Sequence, residues 1–96
     1  MTYKLVFETQ ALKEWKKLDH SIGEQFKKKL AKVLENPEVP ANKVREIPNG
    51  YKITLRSAGY RLIYQVENNE VKVIVLAIGK RERSEAYNTA KSRLTN

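Results

Sequence analysis

Ninety-six residues suffice for one domain with a modest core, and a 41% hydrophobic content places the chain among globular rather than disordered sequences. The absence of cysteine excludes disulfides and thiolate-held metals. A formal net charge of +8 favours an anionic partner, with nucleic acid ahead of membrane headgroups or an acidic protein.

In chain order, residues 3–7 read as a short strand with Tyr3, Leu5 and Phe7 on one face. Thr9 is placed to cap a helix in which Ala11, Leu12, Trp15 and Leu18 recur at helical spacing. Asp19-His20-Ser21 interrupts it, and Ser21 with Glu24 matches a capping box for a second helix running to about Glu35. Its apolar stripe is Ile22, Phe26, Leu30, Val33 and Leu34. Lys27, Lys28, Lys29 and Lys32 load its polar side, either as a solvated face or as phosphate contacts. Asn36-Pro37 ends it. The two helices are expected to form a hairpin on a sheet.

Residues 37–50 read as a loop, rich in proline and closed by Asn49-Gly50. The stretch "YKITLRSAGYRLIYQV", residues 51–66, alternates as a half-buried β-hairpin. With a turn at 57–60, Leu55 is expected opposite Leu62, Ile53 opposite Tyr64 and Tyr51 opposite Val66. That pairing collects Lys52, Thr54, Arg56, Arg61, Ile63 and Gln65 on the other face, and a one-residue slip would bury Arg61 instead. No acid stands between Glu46 and Glu67 to neutralise this face, so an anionic ligand is its natural complement. After a turn at 67–70, "VKVIVLAI" is nearly continuously apolar, as a strand covered on both faces would be, and Gly79 is expected to end it. A charged knuckle at 80–83 precedes a last helix carrying Ala86, Tyr87, Ala90 and Leu94 on one face. The order β-α-α-β-β-β-α defines an α+β domain over residues 1–96, with helices packed on a mostly antiparallel sheet.

No apolar run approaches the ~18 residues of a membrane span. Met1-Thr2-Tyr3-Lys4 lacks a signal peptide's long apolar run. A cytoplasmic location with no membrane partner is therefore expected. His20, the sole histidine, lies in a turn, and no paired carboxylates, metal cluster or phosphate loop is evident. What remains is Lys, Arg and Tyr. Such groups suit cleavage of RNA by its own 2′-hydroxyl, which needs a proton acceptor, cationic stabilisation of the phosphorane and a proton for the leaving 5′-oxygen.

The segments "ALKEWKKL", "NKVREIPNGYKITLRSAGYRLIYQV" and "IGKRERSEAY" closely resemble the RelE family of bacterial toxins, from Tyr3 to about Arg93. The resemblance implies a RelE/ParE-like fold, a reduced microbial ribonuclease. It also implies a type II toxin–antitoxin toxin that cuts A-site mRNA codons on translating ribosomes, with no metal or cofactor. A cognate RelB-like antitoxin is the implied partner, with operator DNA reached only through that complex. Carried onto this sequence, the family's catalytic set falls on Lys52, Arg61, Arg81 and Tyr87, with Arg45, Arg56, Lys80 and Arg83 as RNA or ribosome contacts. A further family lysine falls at position 54, where this chain has Thr54. Threonine holds no charge and is a poor acid or base, which leaves three readings open: a natural variant that still cuts, a weakened toxin, or a chain altered so that cells survive making it. The alternatives are a ParE-like gyrase inhibitor, or a non-catalytic RNA- or ribosome-binding variant.

Overall fold

The computed structural model describes residues 2–80 and 85–94. A five-stranded sheet is built from β1 (Lys4–Phe7), β2 (Lys43–Val44), β3 (Gly50–Leu55), β4 (Tyr60–Glu67) and β5 (Lys72–Lys80). Its spatial order is β1-β5-β4-β3-β2, with β1 parallel to β5 and the other pairs antiparallel. Helices α1 (Thr9–Lys16) and α2 (His20–Glu35) follow β1, and α3 (Glu85–Leu94) follows β5. The expected order holds, with one addition. The 37–50 loop contains a 3-10 turn (Pro40–Asn42) and β2, whose two residues are too few to leave a periodic signal.

Both helix starts differ from expectation. Glu8, not Thr9, caps α1: its backbone is extended and its carboxylate accepts from the Ala11 N–H at 2.9 Å. For α2, the residue before the first turn is Asp19, so Ser21 is already helical and no capping box forms. Glu24 instead meets Lys27 at 3.4 Å. Leu12 is 37% exposed, because α1 has only eight residues and Leu12 lies at the margin of the stripe set by Ala11 and Trp15.

Each face of the sheet has its own core. On one face Ala11, Phe26, Leu30 and Val33 pack on Ile53, Leu62, Tyr64, Val73 and Val75. On the other, Ala86 and Ala90 of α3 cover Ile63, Leu76 and Ala77, flanked by Val44 and Ile47. A bulge between β4 and β5 pairs Ile63 with Ala77 but Tyr64 with Val75. The extra residue, Leu76, joins Ala77 beneath α3 and returns Ile78 to the two-helix core. The strand continues through Gly79 to Lys80 instead of stopping at Gly79.

The β3–β4 register is two residues from the expected one: Leu55 faces Tyr60, Ile53 faces Leu62 and Tyr51 faces Tyr64. The loop is residues 56–59, with Gly59 at φ +71° and its N–H bonded to the Leu55 carbonyl at 2.9 Å. An even slip preserves which face each residue occupies, so alternation alone could not separate the two registers.

β1 reaches only Val75, where the Glu8 N–H takes the Val75 carbonyl at 2.9 Å. Beyond it, side chains close the edge of β5. Glu14 accepts from the Ile78 N–H at 3.1 Å, and Arg93 donates to the Leu76 carbonyl at 2.6 Å. Arg93 also grips Glu14 through two bonds of 3.0 Å each. The hydrogen bonds to Glu14 hold the guanidinium above its ordinary pKa against the opposing pull of burial. This fork fastens α3 to α1 and β5. Arg93→Ala should lower unfolding stability by about 2 kcal/mol, read as a lower urea midpoint with an unchanged slope.

Candidate active site

β2 pairs only with Gly50 and Tyr51, so among the described residues no strand lies beyond residues 52–55 of β3. A cleft of about 810 Å³ opens along this edge, between β3, α2 and the Pro40–Asn42 turn. Lys52, Thr54, Arg56 and Arg61 line it from the sheet. Lys29 and Lys32 line it from α2, with Ala41 and Asn42 at the turn. Among the described residues, five cations therefore share one cleft, and none of the residues lining it is a carboxylate. Such a lining attracts phosphate and repels a divalent cation.

The register makes Thr54 the direct cross-strand partner of Arg61, and Lys52 that of Ile63. Lys52, Thr54 and Arg61 are all partly exposed, while Ile63 is fully buried under α3. The outer face is thus divided. α3 covers the end around Ile63, and the cleft occupies the end around Thr54. Gln65, the remaining polar residue of that face, donates to the Pro48 carbonyl at 3.0 Å and ties down the loop. Of the candidate contacts, Arg56 is exposed within the cleft. Arg45 is exposed beside β2, outside the lining. Lys80 is exposed at the end of β5 opposite Tyr60, on the two-helix face. Arg81 and Arg83 lie outside the described residues, and Tyr87 belongs to the first turn of α3 by its backbone.

Two other tyrosines are removed from proton chemistry. Burial raises the Tyr64 pKa strongly, with Tyr51 adding to it, and its hydroxyl donates to the Pro37 carbonyl at 2.8 Å. Burial likewise raises Tyr51, helped by Glu38. Neither supplies a base near neutral pH.

Sequence reasoning placed the α2 lysines on a polar face without attaching any to this site. The available signal was the i, i+3 spacing of Lys29 and Lys32 along the margin of the stripe that holds Phe26 and Val33. The missing information was which sheet edge that margin meets.

A family model described as ParE toxin of type II toxin-antitoxin system, parDE, matches residues 5–85. The chain is 55% identical over 94 residues to the mRNA interferase toxin RelE of Escherichia coli K12, covering 98% of this chain and 99% of that one. Among solved structures, a doubly alanine-substituted Escherichia coli toxin RelE in the free state superposes with a TM-score of 0.90 at 53% identity, covering 98% and 99% of the two chains. The toxin of the intact Escherichia coli RelBE toxin-antitoxin complex gives 0.81 at 56% identity, covering 84% of this chain and 99% of that one.

The register yields a stability test. A lysine at position 54 would stand directly across from Arg61, so T54K should cost about 0.5 kcal/mol at low salt. The cost should shrink at ~0.5 M salt, where screening is nearly complete, in paired denaturation curves.

Proposed function

Because this chain belongs to the RelE/ParE family of type II toxin–antitoxin toxins, we propose that it is an mRNA interferase, an endoribonuclease that arrests translation by cutting mRNA in the ribosomal A site. The observation that carries this reading is the cationic cleft around Lys52 and Arg61, with no carboxylate among its described lining residues, in a chain 55% identical to an mRNA interferase. The gyrase-inhibitor alternative draws on the ParE description of the family model, but relatives 55% identical over nearly the full chain are RelE proteins and the cleft retains Lys52 and Arg61, which favours the interferase.

In the proposed reaction the 2′-hydroxyl oxygen attacks the adjacent phosphorus, passing its proton to a base. The bond from phosphorus to the 5′-oxygen breaks, and that oxygen takes up a proton. The products are a 2′,3′-cyclic phosphate and a free 5′-hydroxyl. Arg61 and Lys52, both lining the cleft, are assigned to the charge that develops on the phosphorane. Thr54 between them offers a hydroxyl donor but no charge. Arg81 follows Lys80, whose cross-strand partner Tyr60 is the neighbour of Arg61, and Tyr87 comes from α3. These two complete the assigned catalytic set, one for the leaving group and one to orient the nucleotide or accept the proton. Arg45, Arg56, Lys80 and Arg83 are assigned to contacts with RNA or the ribosome. No metal is required, because cations already supply the charge.

The ribosome enters as the positioning device. A site with many cations and few proton-transfer groups depends on the substrate being held in an in-line geometry. The antitoxin partner is a RelB-like protein, as in the RelBE complex, and an acidic segment would complement the +8 charge. Contact with operator DNA runs through that complex, and the site of action is the cytoplasm. Among the described residues no helix is long and apolar enough to cross a membrane.

Purified protein should cut mRNA on programmed ribosomes and cut naked RNA poorly; no cleavage on ribosomes would overturn the assignment. T54K should raise the single-turnover rate at saturating protein, by up to ~100-fold if a lysine there shares in proton transfer. An unchanged rate would mean that Lys52 and the arginines suffice. The double variant R81A/Y87A should abolish toxicity in cells while still cosedimenting with ribosomes, and persistent toxicity would displace both residues from the site.

A further inference from the structure

The α2 side of the cleft has no role in the chemistry above, yet it carries two of the five cations among the described lining residues. Lys29 and Lys32 are exposed, and neither forms an ion pair or hydrogen bond with any described residue. Lys27, on the same helix, is already engaged with Glu24 at 3.4 Å. Lys29 and Lys32 stand one helical turn apart, along the margin that meets the open edge of β3. The cleft between them and Lys52 measures about 810 Å³ and falls in the range that houses a ligand of many atoms, more than one phosphate needs.

We infer that Lys29 and Lys32 form a second phosphate-binding wall, gripping the RNA backbone beside the scissile phosphate so that the strand runs between α2 and the open edge of β3. This rests on the interferase reading for the identity of the strand. Three observations support it. The β3 edge is left open where a strand could otherwise pair. The cleft is lined on opposite walls by positive charge, with no acid among its described lining residues. The position between Lys52 and Arg61 is neutral Thr54, so cations on the α2 wall make up a larger share of the field that holds the backbone. A backbone contact of this kind binds without reading bases, and it affects affinity more than the chemical step.

The test compares two double variants with equal loss of charge on one helix: K29A/K32A and, as control, K27A/K28A, whose positions do not line the cleft. The probe is a short single-stranded RNA with a 2′-deoxy sugar at the cleavage position, titrated between ~50 and ~200 mM salt. K29A/K32A should flatten the slope of log affinity against log salt by about 1.4, at ~0.7 per lost phosphate contact on a single strand. K27A/K28A should change it by less than a third of that. On programmed ribosomes K29A/K32A should raise the protein concentration needed for half-maximal cleavage, leaving the single-turnover rate at saturation intact. Unchanged urea midpoints verify folding. Equal slope changes in both variants would overturn the inference, reducing it to net charge. So would an unaltered slope in K29A/K32A, including the case where only antitoxin affinity falls and the wall serves the protein partner. Failure of the parent chain to cleave on ribosomes, with the slope difference intact, overturns the interferase reading and leaves the RNA wall standing.

Discussion

Tyr64 is fully buried, and its ring lies against Tyr51 across the β3–β4 pair with centroids 5.6 Å apart and planes within 19° of parallel. Its hydroxyl reaches the Pro37 carbonyl at 2.8 Å, at the start of the loop that leads to β2. This one side chain therefore holds two things. It sets the strand register through an aromatic cross-strand pair, and it anchors the loop whose 3-10 turn walls the cleft. Moving the register by two residues would leave Tyr51 opposite Val66, losing the stack, and would separate Thr54 from Arg61. The hydroxyl cannot be left without a partner at that depth, so the loop and the sheet are fixed together.

Covering both faces of a small sheet is the second constraint. Two helices cover one face, and one short helix covers half of the other. The bulge at Leu76 lets β5 serve both cores at once by giving the α3 side two consecutive apolar residues. The uncovered half of the outer face is where the cations gather. Contact with water there spares them the cost of burying a charge. Edge management follows the same division. One edge is closed by Glu14 and Arg93, and the other is left open as the cleft wall.

For a ribonuclease of the proposed kind, the fold supplies a rigid strand pair for the phosphate and a separately docked helix for Tyr87. Arg93 stands six residues after Tyr87 on that helix, and its fork to Glu14 determines where the helix sits on the sheet. Helix α3 is also linked to the loop by Lys91 and Glu46 at 3.3 Å. The helix that carries Tyr87 thus depends on contacts far from the cleft.

Alternation by itself determined which residues of 51–66 face the two-helix core and which face outward, and it made Lys52, Thr54 and Arg61 neighbours on one side. The apolar run after residue 70 likewise announced a strand covered twice. Both are local, period-two facts that survive any even change of register. The sequence did not decide that Thr54 faces Arg61, because that required the Tyr51–Tyr64 stack and the four-residue loop ending in Gly59. Nor did it decide that Ile63 is buried under α3, or that Lys29 and Lys32 close the cleft while Lys27 does not. Those outcomes depend on which surfaces meet after the chain has folded back on itself. Residues 29 and 54 are 25 positions apart, and no spacing within either segment records the other's location.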